Sequence, residues 1–396
     1  MKYLLCLLLS FQVLAQKDEK EPVLLSLLTD MDVQIDMTDA VNDMYNFKFA
    51  KADSAFRKLR DKYPKHPMAY FLLGLGHFWR MQPNSDITLY DDSLFAYMDS
   101  SITYAEPMAK SKEETIAVEG AFFLAAAYGF KGRIHAERSQ FVKALPAGKN
   151  AMHYMQQSKG NSDLSPEFMF GDGLYNYYRE YIPKNYKVFA PIMALFPAGN
   201  MKLGLEQLHF CANNAFYTRT EAQNYLMYIY AIEEVNVKAA MPYSKYLYTT
   251  YPNNPYFQRF YCRLVWSSGN FVETERVGLS IISKIDSGYT GYEAVTGRYA
   301  SYMLGFVYNF KKDFEKAKTY FKRTVAFSEE VNAYHMAYYL HACLHLGRIY
   351  SKEGNIKEAC FYYTKLKKNV NKGDDEASYN EAKEFLKTHD CPKEEN

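Results

Sequence analysis

The feature that most constrains this chain is a pair of small residues, Gly347 and Ala359, set twelve positions apart and repeated upstream. Around them the sequence reads Cys343-x2-Leu346-Gly347-x2-Tyr350, then Gly354-Asn355, then Ala359-x3-Tyr363. Small residues on two consecutive helices let the backbones approach, and larger residues one turn away fill the space beside the contact. Gly-Asn supplies the turn between them. The offset returns at Gly305 and Ala317, within Leu304-Gly305-x2-Tyr308 and Ala317-x3-Phe321. It returns again at Tyr228 and Ala240 before Pro252, and at Ala40 and Ala52 before Phe56 and Pro64. Tyr70-x2-Leu73-Gly74 opens a further unit, and Gly132 and Ala144 form a weaker copy. The aromatic runs recur at helical spacing, so no strand pattern competes.

These residues resemble the tetratricopeptide repeat (TPR), W-x2-L-G-x2-Y followed by A-x3-F, with Cys343 and Tyr363 in two of its large-residue slots. The resemblance implies an all-α chain, a TPR-like right-handed superhelix of about eight helix pairs plus a C-terminal capping helix. The pairs fall at roughly 33–66, 67–104, 113–158, 165–216, 221–254, 255–288, 298–331 and 340–371. A cap over 375–388 covers the last apolar face, as terminal repeats require. The resulting divisions are a signal peptide at 1–15, a frayed or capping lead-in at 16–32, N-terminal pairs at 33–158, a divergent centre at 165–216 and C-terminal repeats at 221–371. At 396 residues the length alone would suggest two or three domains, but a repeat array grows along one axis.

Lys2, the apolar run Leu4–Leu14 and the Val13-Leu14-Ala15 site before Gln16 read as a secretory signal. The expectation is export to a periplasm or beyond. Leu5, rather than a small residue, precedes Cys6, which argues against a lipid anchor. Five cysteines follow the leader, an odd number without C-x-x-C, so a full disulfide framework is not expected. Cys343 and Cys360 lie on paired helices and a bridge between them is conceivable. Burial as small apolar side chains is the favoured reading. A net charge of +2 gives no basis for nucleic-acid binding.

The centre departs from the repeat pattern. A polar loop is expected over 81–92, and eleven consecutive apolar residues run from Val188 to Ala198. Prolines at 183, 191 and 197 forbid a straight helix there. The run is too short to span a bilayer. Burial between helix pairs is favoured, with contact at a membrane surface as the alternative. The run Phe170-x-x-Gly173-Leu174-Tyr175-Asn176, then Ile182-Pro183, then Gly199-x4-Gly204-Leu205-x2-Leu208, resembles the central segment of a TPR-related family. It includes the tetratricopeptide-repeat-thirty-nine proteins and the fungal inclusion-body clearance protein, and the resemblance implies a non-enzymatic role linked to lipid droplets or protein assemblies.

No nucleophile, base and orienting group share a recognisable motif, so no enzyme is expected, and no cofactor. His341 and His345 stand one helical turn apart, but spacing dictates no third or fourth metal ligand, and groove lining or packing is favoured. Gly171-x-Gly173 and Gly74-x-Gly76 lack a nucleotide loop's third glycine and read as close-packing sites. The acidic pairs Asp91-Asp92, Glu233-Glu234 and Asp374-Asp375 read as solvated faces or loops.

The favoured site is the concave groove. In TPR proteins, set positions of each first helix face it. Carried over, they give Tyr225, then Tyr256, Arg259, Arg263 and Trp266. The next unit contributes Tyr299, Tyr302, Phe306 and Phe310, and the last His341, Arg348 and Lys352. Rings supply contact area at small entropy cost, and Arg adds directional charged hydrogen bonds. The competing reading is that the rings pack between adjacent units. The functional expectation is an exported scaffold holding a peptide or protein partner. The alternatives are a glycan-binding or other small-ligand-binding protein of the cell envelope, and a peripheral membrane adaptor.

Overall fold

The computed structural model describes residues 24–161, 163–371, 373 and 375–392, so the expected leader lies outside the described residues. Among the described residues every regular element is helical. Eight consecutive antiparallel pairs follow one another: α1 (Met31–Tyr45) with α2 (Phe49–Lys62), α3 (Pro67–Met81) with α4 (Asp91–Met108), and α5 (Glu114–Glu137) with α6 (Phe141–Ser158). Next come α7 (Phe168–Asn185) with α9 (Met201–Asn214), separated by a short α8 (Ala190–Met193), and then α10 (Arg219–Tyr228) with α11 (Val237–Thr250). The last are α12 (Pro255–Ser267) with α13 (Phe271–Asp286), α14 (Ala294–Phe310) with α15 (Phe314–Glu330), and α16 (Ala337–Lys352) with α17 (Ile356–Asn369). A single helix, α18 (Glu376–Thr388), packs on α17. This is a TPR-like solenoid.

The pairing follows from local chemistry. A Cβ on Gly305 would lie 2.6 Å from the Phe321 ring, and one on Gly347 would lie 2.9 Å from Tyr363. The absent side chain is thus the seat for the partner helix's ring. Between the helices of each of the last four pairs, one residue turns left-handed and the next caps the second helix. Gly354 (φ 74°) precedes Asn355, whose Oδ1 accepts from Glu358 N–H at 3.2 Å. Gly269 (φ 77°) precedes Asn270 in the same way. The turn satisfies helix-end donors while reversing the chain.

The first five pairs do more than stack. One apolar core draws residues from Leu27 to Leu264, a smaller one from Tyr177 to Ile229 joins α7, α9 and α10, and a third, Tyr261 to Ala382, lies along the remaining pairs. The first pair meets the loop between α11 and α12: Asn254 Nδ2 donates to the Tyr45 carbonyl at 2.8 Å, and Asn253 N–H to Asn46 Oδ1 at 2.9 Å. From the α3–α4 loop the Pro83 carbonyl accepts from Arg259 at 2.7 Å. Repeat arrays ordinarily touch only their neighbours. Here the array curls until its first unit touches its sixth, making a ring with an arm of later repeats.

Three buried carboxylates hold this ring. Glu119 of α5 accepts from Leu27 N–H at 3.1 Å, Leu28 N–H at 3.0 Å and the Ser26 hydroxyl, so the described part of the lead-in is anchored rather than frayed. Glu167 accepts from the N–H of Tyr217 and Thr218 at 3.0 and 2.8 Å, and from the Thr218 hydroxyl. Glu221 of α10 accepts from Tyr45 Oη at 3.0 Å and Trp79 Nε1 at 2.8 Å, tying the fifth pair to the first and second. Losing any of these carboxyl groups would leave buried donors unsatisfied, which costs more than the bond itself contributes.

Several expectations need correction. Val188 to Ala198 is not buried between helix pairs: Val188 and Leu195 are each 77% exposed, and only Met193 is buried. The prolines break the run into a short 3-10 turn and α8, too small to carry their side chains back onto the core. No Cys343–Cys360 bridge exists; Cys343 is a buried free thiol, and Cys360 is joined to Cys391 beyond α18. Cys343 sits at the α16 packing face, whereas Cys360 lies on the side of α17 that the C-terminal segment crosses. Asp91 is not merely solvated, because both its oxygens accept from Arg138, at 2.7 and 2.9 Å. Glu233 accepts from Tyr178. Gly173 is a close-packing site, a Cβ lying 2.8 Å from Leu208, but the nearest atom to a Cβ on Gly171 is 4.0 Å away. The loop expected over 81–92 is found between α3 and α4, with Asp91 and Asp92 already in the helix. Among the described residues no helix is long and apolar enough to cross a membrane.

Candidate functional site

Helix α12 presents residues every third or fourth position to the inner side, and α14 and α16 continue the same face. Trp266 packs on Tyr302 (centroids 6.1 Å) and Phe306 (5.5 Å), and Tyr302 continues to Tyr338 at 4.7 Å. Tyr299 meets Tyr338 edge-on at 4.9 Å. Phe306 and Phe310 both contact Phe271, and Phe310 is 66% exposed. His341 lies against Tyr302, and His345 stacks flat on Phe321 at 4.8 Å. The stripe named from sequence is therefore brought together from Trp266 to His341. Many of its rings also serve as packing between units, Tyr302 being buried.

The charged members divide. Arg259 is committed to the ring: its Nη1 holds the Pro83 carbonyl, and its guanidinium lies 5.2 Å from the Tyr299 centroid and 5.8 Å from Tyr256. Arg348 is committed to the cap, donating to Glu381 of α18 through Nε at 2.8 Å and through Nη2. Lys352 is exposed at the end of α16. Arg263 is half-buried with its guanidinium 5.0 Å from the Phe260 ring. Arg298 is only 5% exposed and its Nε has no hydrogen-bond partner. Among the described residues neither Arg263 nor Arg298 has a carboxylate within ion-pair distance. A buried cation without a counter-charge is expensive, so the pair makes a ready anion-recognising surface between α12 and α14.

Tyr225 and Tyr256 face elsewhere. Tyr225 touches Phe170 and lines the hollow of the ring, and Tyr256 packs edge-on against Trp79 at 6.0 Å. The hollow is a cavity of about 180 Å³ walled chiefly by apolar side chains, with Arg133, Tyr217, Glu221 and Tyr225 as its main polar members. Burial holds the Glu221 carboxyl above the ordinary carboxylate range, against the opposing pull of its Trp79 and Tyr45 donors.

Against this geometry, the tetratricopeptide repeat family model matches residues 299–328 and 340–368, the α14–α15 and α16–α17 pairs. The match and the paired all-helical architecture support a TPR-repeat protein. No curated protein matches the chain.

The sequence reading missed Arg298, Glu119, Glu167, Glu221 and Arg133. Glu119 carried a signal, being the lone charge between Ile116 and Tyr128 in an otherwise apolar stretch. Arg298 falls one position off the groove pattern. Among the described residues no group of three or more His, Cys, Asp or Glu side chains is placed to hold a metal.

His345 gives the arm a measurable pH dependence. Burial, then Arg348 and His341 nearby, push its pKa from the ordinary 6.5 down to about 4, outweighing the pull of Glu381. The folded arm thus takes up this proton less readily than the unfolded chain, so stability falls as pH drops from 6.5 towards 4. The loss is on the order of 2 kcal/mol. His345→Phe, which keeps the stack on Phe321, should flatten that part of the melting-temperature profile relative to wild type. Parallel profiles would show that His345 titrates freely.

Proposed function

We propose that the chain is an exported TPR scaffold that holds an acidic segment of a partner polypeptide along the stripe from Arg263 to Phe310. The observation that carries this reading is the pair Arg263 and Arg298, cations without a carboxylate in ion-pair reach among the described residues, set beside Tyr299 and Tyr338. An acidic side chain entering there gains charge-assisted hydrogen bonds, while the rings supply apolar area beside it. Export is supported by the leader-like start of the sequence and by the Cys360–Cys391 bridge, since such bridges persist in oxidising compartments.

Affinity capture from the periplasmic fraction of the host tests both parts. Wild type is expected to bring down a partner with an acidic stretch, released by high salt. The Arg263→Ala/Tyr299→Ala/Phe310→Ala variant should lose it by roughly tenfold or more, about 1.4 kcal/mol of binding, with helicity unchanged. An unaltered partner list removes the stripe from consideration, and recovery of the chain from the cytoplasm alone removes export.

A second reading rests on the exposure of Val188, Ile192 and Leu195, with Lys184 and Lys187 beside them. Apolar tips flanked by lysines are suited to the surface of an anionic bilayer. In flotation with anionic liposomes the mature chain should rise, and Val188→Asp/Leu195→Asp should not; wild type remaining at the bottom refutes the reading.

A further inference from the structure

We propose that the ring made by the first five helix pairs is a chamber for a medium-chain monocarboxylate, its apolar chain in the hollow and its carboxylate at the end where Arg133 stands. This inference is independent of the polypeptide stripe on the arm.

The hollow has the size and lining for such a chain. Val41, Leu72, Phe123, Phe130, Met155 and Leu174 contribute from five helices, around a cavity of about 180 Å³. An apolar cavity of about 150 Å³ is known to stay dry and to admit benzene, so this one suits roughly eight carbons.

Two glycines mark the space as kept open. Gly74, Gly173, Gly305 and Gly347 each have a neighbour within 3 Å of where a Cβ would be, although Gly148 of α6, which does not line the hollow, has none within 4 Å. Gly129, inside α5, would place its Cβ with nothing within 4 Å, and Gly171, inside α7, would meet only Met155 at 4.0 Å. Both line the hollow. Glycine weakens a helix interior, and neither close packing nor a left-handed backbone requires it at these two positions. At both, the missing side chain leaves the hollow wider than any other residue would.

One end of the hollow is built for an anion. Arg133 lines the hollow with 38% of its side chain accessible. Its guanidinium sits 4.7 Å from the Phe78 ring and its Nε donates to Glu137 at 2.9 Å. Tyr225 stands beside it, and Tyr256 lies within the fields of Arg133, Arg259 and Arg263 together. The acidic groups nearby are already engaged: Glu137 by Arg133, and Glu221 by Tyr45 and Trp79. An apolar hollow with a guanidinium and the Tyr225 hydroxyl together at one end matches a chain ending in a carboxylate.

Calorimetric titration of the mature full-length chain, below the micelle concentration of each probe, provides the test. Decanoate should bind saturably at one site, decanol more weakly, and decyltrimethylammonium not at all. Gly129→Leu and Gly171→Leu, each retaining wild-type helicity and melting temperature, should abolish decanoate binding while leaving capture of a polypeptide partner intact. Arg133→Met should bring decanoate down to the affinity of decanol without changing decanol itself. Absence of saturable decanoate binding, or binding undiminished in both glycine variants, overturns the chamber. Equal loss of decanoate and decanol in Arg133→Met overturns the assignment of the carboxylate end. Displacement of decanoate by anionic phospholipid vesicles overturns the free acid in favour of a lipid acyl chain.

Discussion

The arrangement depends on one buried carboxyl group. Glu221 leaves the fifth helix pair and receives the hydroxyl of Tyr45 from the first and the indole N–H of Trp79 from the second. Removing the acceptor would strand two donors, and removing the donors would strand a buried acid; either is costly in a low-dielectric interior. Glu119 and Glu167 repeat the device on backbone N–H groups, so separate stretches of chain are fastened at points that tolerate little displacement. A stack of hairpins that could have stayed an open spiral is thereby curled into a ring.

The closure divides the molecule into parts with different work. Where the array curls, the inner face becomes a chamber and its aromatic residues become walls. Beyond α12 the array runs on as an arm, and the same inner face becomes a groove. Arg259 marks the boundary: it belongs by sequence position to the groove, yet its guanidinium holds the α3–α4 loop in place. Arg263 is one helical turn further along and has no such engagement. One turn of helix separates a structural cation from a recognising one.

The sequence revealed what is local and concealed what is not. Spacing of Gly347 and Ala359 speaks directly to how two neighbouring helices touch, and the rings from Trp266 to His341 share a helical face by period alone. Ring closure joins groups 142 to 209 residues apart, such as Trp79 with Glu221 and Asn254 with Tyr45, and no periodicity encodes that. Gly171 and Gly173 show the limit at closest range. Two residues apart on one helix, they point to different faces, so one seats Leu208 and the other meets only Met155, at 4.0 Å. Composition could not separate them. The apolar stretch from Val188 was misjudged for a related reason: hydrophobicity states a preference for burial, but prolines dictate whether the backbone can deliver it. Cys360 likewise takes its partner from the C-terminal segment rather than from the helix beside it.

Closure of the ring is measured most directly across its seam. Spin labels at Lys48 and Pro252, both exposed and next to the contact between Asn46 and Asn253, report the separation of the first pair from the α11–α12 loop in solution. A closed ring gives one short, narrow interspin distance. A broad distribution at long distances, as in an open spiral, would contradict the closure and with it the chamber.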